Sequence, residues 1–63
     1  MKFKVYEGPH KVRRKIVAQF AYEEDARIWA RSTANLMSID RFLILENEAK
    51  NVIGFWRGYI KDH

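Results

Sequence analysis

Residues 22–37 have the sequence YEEDARIWARSTANLM, the one helical pattern in a chain of 63 residues, and the other elements are arranged around it. At about 100° per residue its apolar side chains gather on one side, which predicts an amphipathic helix lying on an apolar surface. The predicted buried side consists of Ala26, Trp29, Ala30, Thr33, Leu36 and Met37, opposite Glu24, Arg27, Arg31 and Asn35. We predict that Trp29, in the middle of this stripe, is the central core residue.

The predicted start of this helix is acidic but lacks a good cap. Glu23, Glu24 and Asp25 fall in the first turn, where the helix dipole favours negative charge. Glu23 is spaced to pair with Arg27 one turn later. Tyr22 stands where Ser, Thr, Asp or Asn would be expected, so the acidic turn must partly substitute for the missing cap.

Short strand patterns lie on both sides of the helix. Residues 2–7 alternate apolar and polar side chains, and residues 12–20 follow a turn signal at residues 8–10, which predicts an antiparallel hairpin. Residues 41–46 are apolar on both faces, and residues 52–60 follow a polar turn, which predicts a second hairpin. The order predicts an α+β fold, a single ββαββ domain over residues 1–63. Its four-stranded antiparallel sheet has one helix packed on one face.

The sheet face turned away from the helix is where we expect function, because one helix covers only one face. If Phe3, Val5, Ile16, Ala18 and Phe20 face the helix, alternation turns the intervening residues of the first hairpin outward. Those outward residues are Lys2, Lys4, Tyr6, Arg13, Lys15, Val17 and Gln19.

The face that each residue of the last strand occupies is inferred from its glycines. Gly54 and Gly58 would leave holes in a core, so we predict that they face outward with Trp56 between them. The same alternation turns Ile53, Phe55 and Tyr59 inward. A tryptophan flanked by glycines would have room above it to stack on a base or to insert into a partner.

The composition is basic. Twelve lysines and arginines face eight acidic residues, the net charge is +4 and the isoelectric point is about 9.7. Cations interleaved with aromatic side chains on a sheet are suited to holding a nucleic-acid backbone while bases stack. The predicted nucleic-acid-binding residues are Lys2, Lys4, Tyr6, Arg13, Lys15 and Trp56. The sequence therefore predicts a small DNA-binding or other nucleic-acid-binding module.

The alternative is a protein-binding role. The strand at residues 41–46 is apolar on both sides, and with Val17 and Trp56 its outer half would form an apolar patch. Ile28, on the polar side of the helix, could join a partner surface. This pattern favours a protein partner or a homodimer, for example a phage-type regulator or inhibitor docking on a larger protein.

Catalytic and cofactor patterns are missing from the sequence. The chain has no cysteine, its two histidines are His10 and His63, and its three glycines form no phosphate-binding series. Ser32 and Thr33 lie within the predicted helix, and no histidine is placed nearby to activate them. We therefore predict no enzymatic activity, no metal and no small-molecule cofactor.

No apolar run of about 18 residues predicts a membrane span, and the first residues are not followed by a signal-peptide core. We therefore expect a cytoplasmic protein that does not engage the membrane.

Three resemblances add to this interpretation. Phe20, followed by Glu23-Glu24-Asp25-Ala26 and Trp29-Ala30, resembles the passage from strand to helix in many small phage and plasmid proteins. It is also similar to the arm-binding domains of phage integrases, in which a short sheet meets one helix. The strand order is loosely similar to that of a small archaeal chromosomal protein. The integrase resemblance implies DNA contact through the sheet, and it transfers no individual residue role.

Overall fold

A computed structural model describes residues 2–9 and 15–61. The elements are β1 (Phe3–Gly8), β2 (Lys15–Phe20), α1 (Glu23–Ala34), β3 (Phe42–Glu46) and β4 (Val52–Arg57). The strands form one antiparallel sheet in the order β2-β1-β3-β4, so β1 and β3 are central and β2 and β4 are edges. The predicted α+β fold, with two hairpins flanking one helix, is confirmed.

Alanines form the centre of the contact between helix and sheet. Ala26, Ala30 and Ala34 are buried, and they pack with Val5, Leu43 and Leu45 from the central strands. Residues spaced by four lie on one helix face, and their small side chains let α1 lie close to the sheet.

Two residues predicted for the buried stripe lie elsewhere. Trp29 is half-buried at the margin of the core, with its ring centroid 5.8 Å from that of Phe20. The prediction that Trp29 is the central core residue is therefore wrong, because the close approach of α1 leaves no space there for an indole. Leu36 is 80% exposed, since α1 ends at Ala34 before the helical pattern can place it.

The start of α1 agrees with the sequence. Tyr22 takes the N-cap position with an extended backbone and no capping hydrogen bond from its side chain. The Nε atom of Arg27 lies 2.7 Å from a carboxylate oxygen of Glu23, as the spacing predicts.

Two register shifts change which side chains share a face. Val5 pairs with Ala18 while Tyr6 pairs with Ile16, so Val17 is an extra residue in β2. A β-bulge of this kind ends the simple alternation of faces. Ile16 therefore lies beside Tyr6, on the side away from the helix, and the prediction that it faces the helix is wrong.

The second shift lies between β3 and β4. Leu45 pairs with Gly54 while Glu46 pairs with Val52, which makes Ile53 the extra residue. Gly54 therefore lies on the helix side with Leu45, and alternation places Trp56 there too. Trp56 packs against the core on that side, so its predicted outward placement is wrong.

The chain after β4 is tied to the end of α1. The main-chain nitrogen of Tyr59 donates to the carbonyls of Ala34, at 3.1 Å, and Met37, at 3.0 Å. The nitrogen of Ile39 donates to the carbonyl of Ile60 at 2.7 Å. The segment after β4 therefore bonds both to the last turn of α1, whose carbonyls lack partners within the helix, and to the residues that follow it.

Candidate functional site

The register arranges the outer face of the sheet, the face away from α1, in rows across the strands. The Val5 row faces the helix, so the rows next to it face outward. The middle outer row is Ile16, Tyr6, Ile44 and Phe55; one flanking row is Gly8, Phe42 and Arg57, and the other is Gln19, Lys4, Glu46 and Val52. This face is mainly apolar and aromatic, with Lys4 and Arg57 as its cations among the described residues.

The centre of the outer face is closed. Ile44 is 2% exposed and Glu46 is 6% exposed, although no helix of the described chain covers them. The Tyr6 hydroxyl donates to a carboxylate oxygen of Glu46 at 3.3 Å, and the rings of Phe42 and Phe55 stack with centroids 5.0 Å apart. The open apolar surface of this face therefore lies toward its edges.

The exposed apolar side chains of the outer face belong to the two edge strands. Ile16 and Val17 are 42% and 36% exposed on β2, and Val52 and Phe55 are 52% and 39% exposed on β4. The wide open face that the sequence predicts is thus reduced to two margins.

The predicted nucleic-acid-binding residues do not share one surface. Lys4 and Tyr6 lie on the outer face, as predicted. Lys15 pairs with Glu7, which has the helix-side parity of Val5, so the predicted outward placement of Lys15 is wrong because of the bulge in β2. Lys2 borders a groove near the start of α1, and the predicted Arg13 lies outside the described residues.

Trp56 lies between the backbone of Gly54 and the side chain of Arg27. A Cβ atom at Gly54 would stand 2.5 Å from the Trp56 ring, so the ring occupies the space that the glycine leaves. On its other side, the Arg27 guanidinium carbon lies 5.9 Å from the ring centroid, and Nη2 of Arg27 donates to the Ile53 carbonyl at 2.7 Å. The predicted empty space above Trp56 is therefore filled, and the stack ties α1 to β4.

A groove of about 610 Å³ opens between α1 and β4. Its lining is Glu23, Glu24, Arg27, Ile28, Arg31, Ser32 and Trp56. Ile28 is 60% exposed, and within the described chain the Arg31 guanidinium makes no hydrogen bond or ion pair. Sequence reasoning missed this groove because it placed Trp56 on the other face, although the exposed Ile28 was a visible signal.

We name the β4 surface by its five members, Ile28, Arg31, Val52, Phe55 and Trp56. Ile28, Arg31 and Trp56 line the groove on the helix side, and Val52 and Phe55 are exposed on the outer side of the same edge strand. The surface therefore combines apolar side chains from both faces of β4 with an isoleucine and an arginine from α1.

Two carboxylates have perturbed acidities. A hydrogen bond from Arg41 at 3.0 Å lowers the pKa of Glu7, the positive charges of Arg41 and Lys15 lower it further, and burial opposes them. The Ser38 hydroxyl lowers the pKa of the exposed Asp40. The Glu7–Arg41 pair joins β1 to the residue before β3, whereas the Ser38–Asp40 hydrogen bond lies within one turn. Among residues 2–9 and 15–61 no three His, Cys, Asp or Glu side chains are grouped to hold a metal ion.

Within the described residues, α1 is too short and too polar to cross a membrane. No protein-family model matches the chain, and searches of curated proteins and of solved structures give no match either.

Proposed function

We propose that this chain is a non-enzymatic binding module that recognises a protein through the β4 surface. The observation that carries the proposal is an edge strand with apolar side chains accessible on both of its sides. On the helix side Trp56 lines the groove together with the exposed Ile28, and on the outer face Val52 and Phe55 are exposed. Contiguous apolar surface at an edge strand is typical of protein interfaces, whereas single exposed apolar residues are common everywhere.

The geometry fits recognition by strand addition. In this mode an extended segment pairs with the main chain of an edge strand, and alternate side chains enter pockets on either side. On the helix side the groove offers Trp56, Ile28 and Arg31; on the outer side Val52 and Phe55 offer apolar contact. Aromatic residues and arginine are the side chains that most often dominate binding energy at interfaces.

The test compares substitutions at two exposed apolar residues, Ile28 in the groove and Leu36 after the end of α1. Immobilised protein is incubated with a cell extract that also contains a tagged copy of the chain, and retained proteins are quantified by mass spectrometry. Ile28→Glu should reduce specific retention at least about tenfold, because it places a charge in the groove.

Leu36→Glu is the matched control, since Leu36 is also exposed but lies beyond the end of α1. This variant should retain partners as the unmodified chain does, and circular dichroism should show both variants folded. If the Ile28→Glu variant retains the same proteins in the same amounts as the unmodified chain, the proposed function is wrong.

Nucleic-acid binding through the outer face is a second candidate. Lys4 and Arg57 lie on that face, with the Arg57 guanidinium carbon 5.7 Å from the Phe42 ring centroid, and the chain carries a net charge of +4. Affinity for a labelled duplex and a labelled single strand should then fall steeply as salt rises.

A matched pair of lysines tests this second candidate. Lys4→Gln should lower the slope of log affinity against log salt by about one, whereas Lys61→Gln, at the end of the described chain, should leave it unchanged. No measurable affinity at low salt would exclude the candidate.

A further inference from the structure

The side of α1 turned away from the sheet is exposed and is centred on an isoleucine. Ile28 is 60% exposed, and at about 100° per residue it lies about 160° around the helix from the buried Ala26 and Ala30. Its neighbours on this side, Glu24 and Ser32, are exposed too, so no described element covers them. Another helix can therefore approach this side without obstruction from the sheet.

Ile28 stands between two charged side chains that have no partner within the described chain. Glu24, about one turn before it, and Arg31, about one turn after it, are exposed and make no hydrogen bond or ion pair there. They are about 10 Å apart along the helix, whereas side chains that pair on a helix are three or four residues apart. The face thus has an acidic end, an apolar centre and a basic end.

We infer that this face of α1 is covered by the same face of a second copy of the chain, with the two helices antiparallel about a two-fold axis at Ile28. The inference rests on the proposed function, because Ile28 and Arg31 are the members of the β4 surface that α1 supplies, and it names the protein that covers them. The two Ile28 side chains meet at the axis. Glu24 of each protomer lies beside Arg31 of the other, which gives two ion pairs between the chains.

Helical geometry places the two members of each ion pair on the same flank of the interface. Relative to Ile28, Glu24 is turned by about 40° and Arg31 by about 60° in the same sense, and the two-fold axis relates this flank of one helix to the same flank of the other. Glu24 lies four residues before Ile28 and Arg31 three residues after it. An antiparallel partner therefore brings the opposite charges to nearly the same height, and the opposed helix dipoles favour the same arrangement.

The arginines of α1 do not oppose this arrangement. Arg27 is turned about 100° away from the axis, and its guanidinium is held toward the sheet by the Ile53 carbonyl, at 2.7 Å, and by the face of Trp56. Its charge is also balanced by Glu23, whose carboxylate oxygen lies 2.7 Å from Nε. The two Arg31 residues lie on opposite sides of the axis, about 9 Å apart along the helices.

The contact is small, so the dimer is expected to be weak. Each α1 has 12 residues, about three turns, with one apolar side chain at the axis. Interfaces that bury less than about 1,200 Å² are typical of weak association, and we expect a dissociation constant of about 100 µM. This constant should rise with salt, because the ion pairs lie near solvent.

Charge reversal tests the register, because a mixture of two variants restores what each variant loses. Glu24→Lys alone sets lysine against Arg31 twice, and Arg31→Glu alone sets glutamate against Glu24 twice. Each should therefore dimerise at least about tenfold more weakly in sedimentation equilibrium. An equimolar mixture should form a heterodimer about as tight as the unmodified dimer. Arg31→Glu lowers the net positive charge of the chain, so repulsion by net charge alone would instead strengthen its self-association.

Glu48→Lys is the matched control, since it makes the same change of charge at an exposed residue in the turn between β3 and β4. It should dimerise about as tightly as the unmodified chain. The double variant Glu24→Lys/Arg31→Glu re-forms both ion pairs with reversed sign and should dimerise again. Circular dichroism checks that every variant folds.

Disulfide crosslinking tests the position of the axis, because the chain has no native cysteine. Ile28→Cys places a thiol at the axis, where helices about 8–10 Å apart bring the two copies of position 28 within disulfide range. Leu36→Cys is the control, since Leu36 is 80% exposed but its two copies would be more than about 20 Å apart. With glutathione disulfide as the oxidant, Ile28→Cys should form crosslinked dimer at least about tenfold faster than Leu36→Cys.

Three results would each overturn the second-copy inference. They are a chain that stays monomeric at about 1 mM, a mixture of the two charge variants that associates no better than either alone, and Ile28→Cys crosslinking no faster than Leu36→Cys. The proposed function is tested separately by retention from the extract. If another protein is still retained in a manner that depends on Ile28, the β4 surface keeps its binding role with a different occupant.

Discussion

Gly58 is the residue whose identity the tertiary structure constrains most directly. A Cβ atom built there would overlap the main-chain carbonyl of Ser38 and crowd that of Met37. No glycine of the described residues has a positive φ, so the requirement at Gly58 is for space and not for an unusual conformation. The sequence suggested a glycine facing outward, whereas the structure uses it for a close approach of two backbones.

Gly58→Ala should therefore destabilise the protein by about 3 kcal/mol, because a backbone segment must move to admit one methyl group. Gly54→Ala is the comparison, since its added Cβ would meet the Trp56 ring, which can shift more easily than main chain. Urea unfolding followed by circular dichroism measures both. Equal losses of stability in the two variants would contradict this account.

Lys50 is the one described residue other than glycine with a positive φ, at 66°. It closes the turn between β3 and β4, where its nitrogen donates to the Asn47 carbonyl at 2.9 Å. Side chains in this left-handed region cost about 1 kcal/mol, so Lys50→Gly should stabilise the protein by about 0.5–1 kcal/mol. Lys50→Ala keeps a Cβ atom and should show no such gain in the same unfolding experiment.

At the scale of elements, the joint between α1 and β4 is built by one arginine. Arg27 contacts Glu23 on its own helix, the Ile53 carbonyl at the bulge of β4, and the face of Trp56. A planar guanidinium can make these contacts together, whereas a lysine ammonium cannot. The bulge at Ile53 and these contacts of Arg27 also hold Trp56 on the helix side of β4.

Arg27→Lys should therefore cost about 1 kcal/mol of unfolding free energy, a modest value because the side chain is partly exposed. Arg31→Lys, one turn later on the same groove wall, keeps its charge and disturbs no hydrogen bond that the described structure contains. Thermal unfolding should show that Arg27→Lys is less stable than Arg31→Lys. An equal loss of stability in the two variants would contradict the proposed role of the Arg27 contacts.

For the molecule as a whole, the free energy of unfolding should depend on pH through the Glu7–Arg41 ion pair. The hydrogen bond from Arg41 lowers the pKa of Glu7 in the folded protein below its ordinary value of 4.5. The unfolded chain then binds a proton more readily than the folded one, so this stabilisation is present above pH 4.5 and is lost as the pH falls through the lowered pKa. Urea midpoints between about pH 7 and pH 3 measure it.

Arg41→Met should reduce the fall in the urea midpoint below pH 4.5, because it removes the partner that lowers the pKa of Glu7. Asp40→Asn is the control, because it removes a different carboxylate whose pKa is lowered mainly by the Ser38 hydroxyl. This variant should keep the contribution of Glu7 to stability. An Arg41→Met variant whose midpoint falls below pH 4.5 as steeply as that of the unmodified protein would show that the pair does not stabilise the fold.

The whole molecule also has a small core. Among the residues that the structure describes, the largest fully buried side chains are Leu43, Ile44, Leu45 and Val5, and the helix contributes alanines. Domains of about this size bury a smaller share of their surface than larger ones and are often stabilised by association.

The fold class, the helix and the two hairpins can be predicted from the sequence alone, because periodicity and turn residues are local properties of the chain. It also indicated the missing cap at Tyr22 and the unusual exposure of Ile28. The faces that Ile16, Lys15 and Trp56 occupy depend instead on contacts between strands that are distant in sequence. The bulge in β2 is set by its pairing with β1, and its extra residue reverses the faces of Ile16 and Lys15. Trp56 lies on the helix side because its ring fills the space that Gly54 leaves, which the sequence argument treated as a hole in the core.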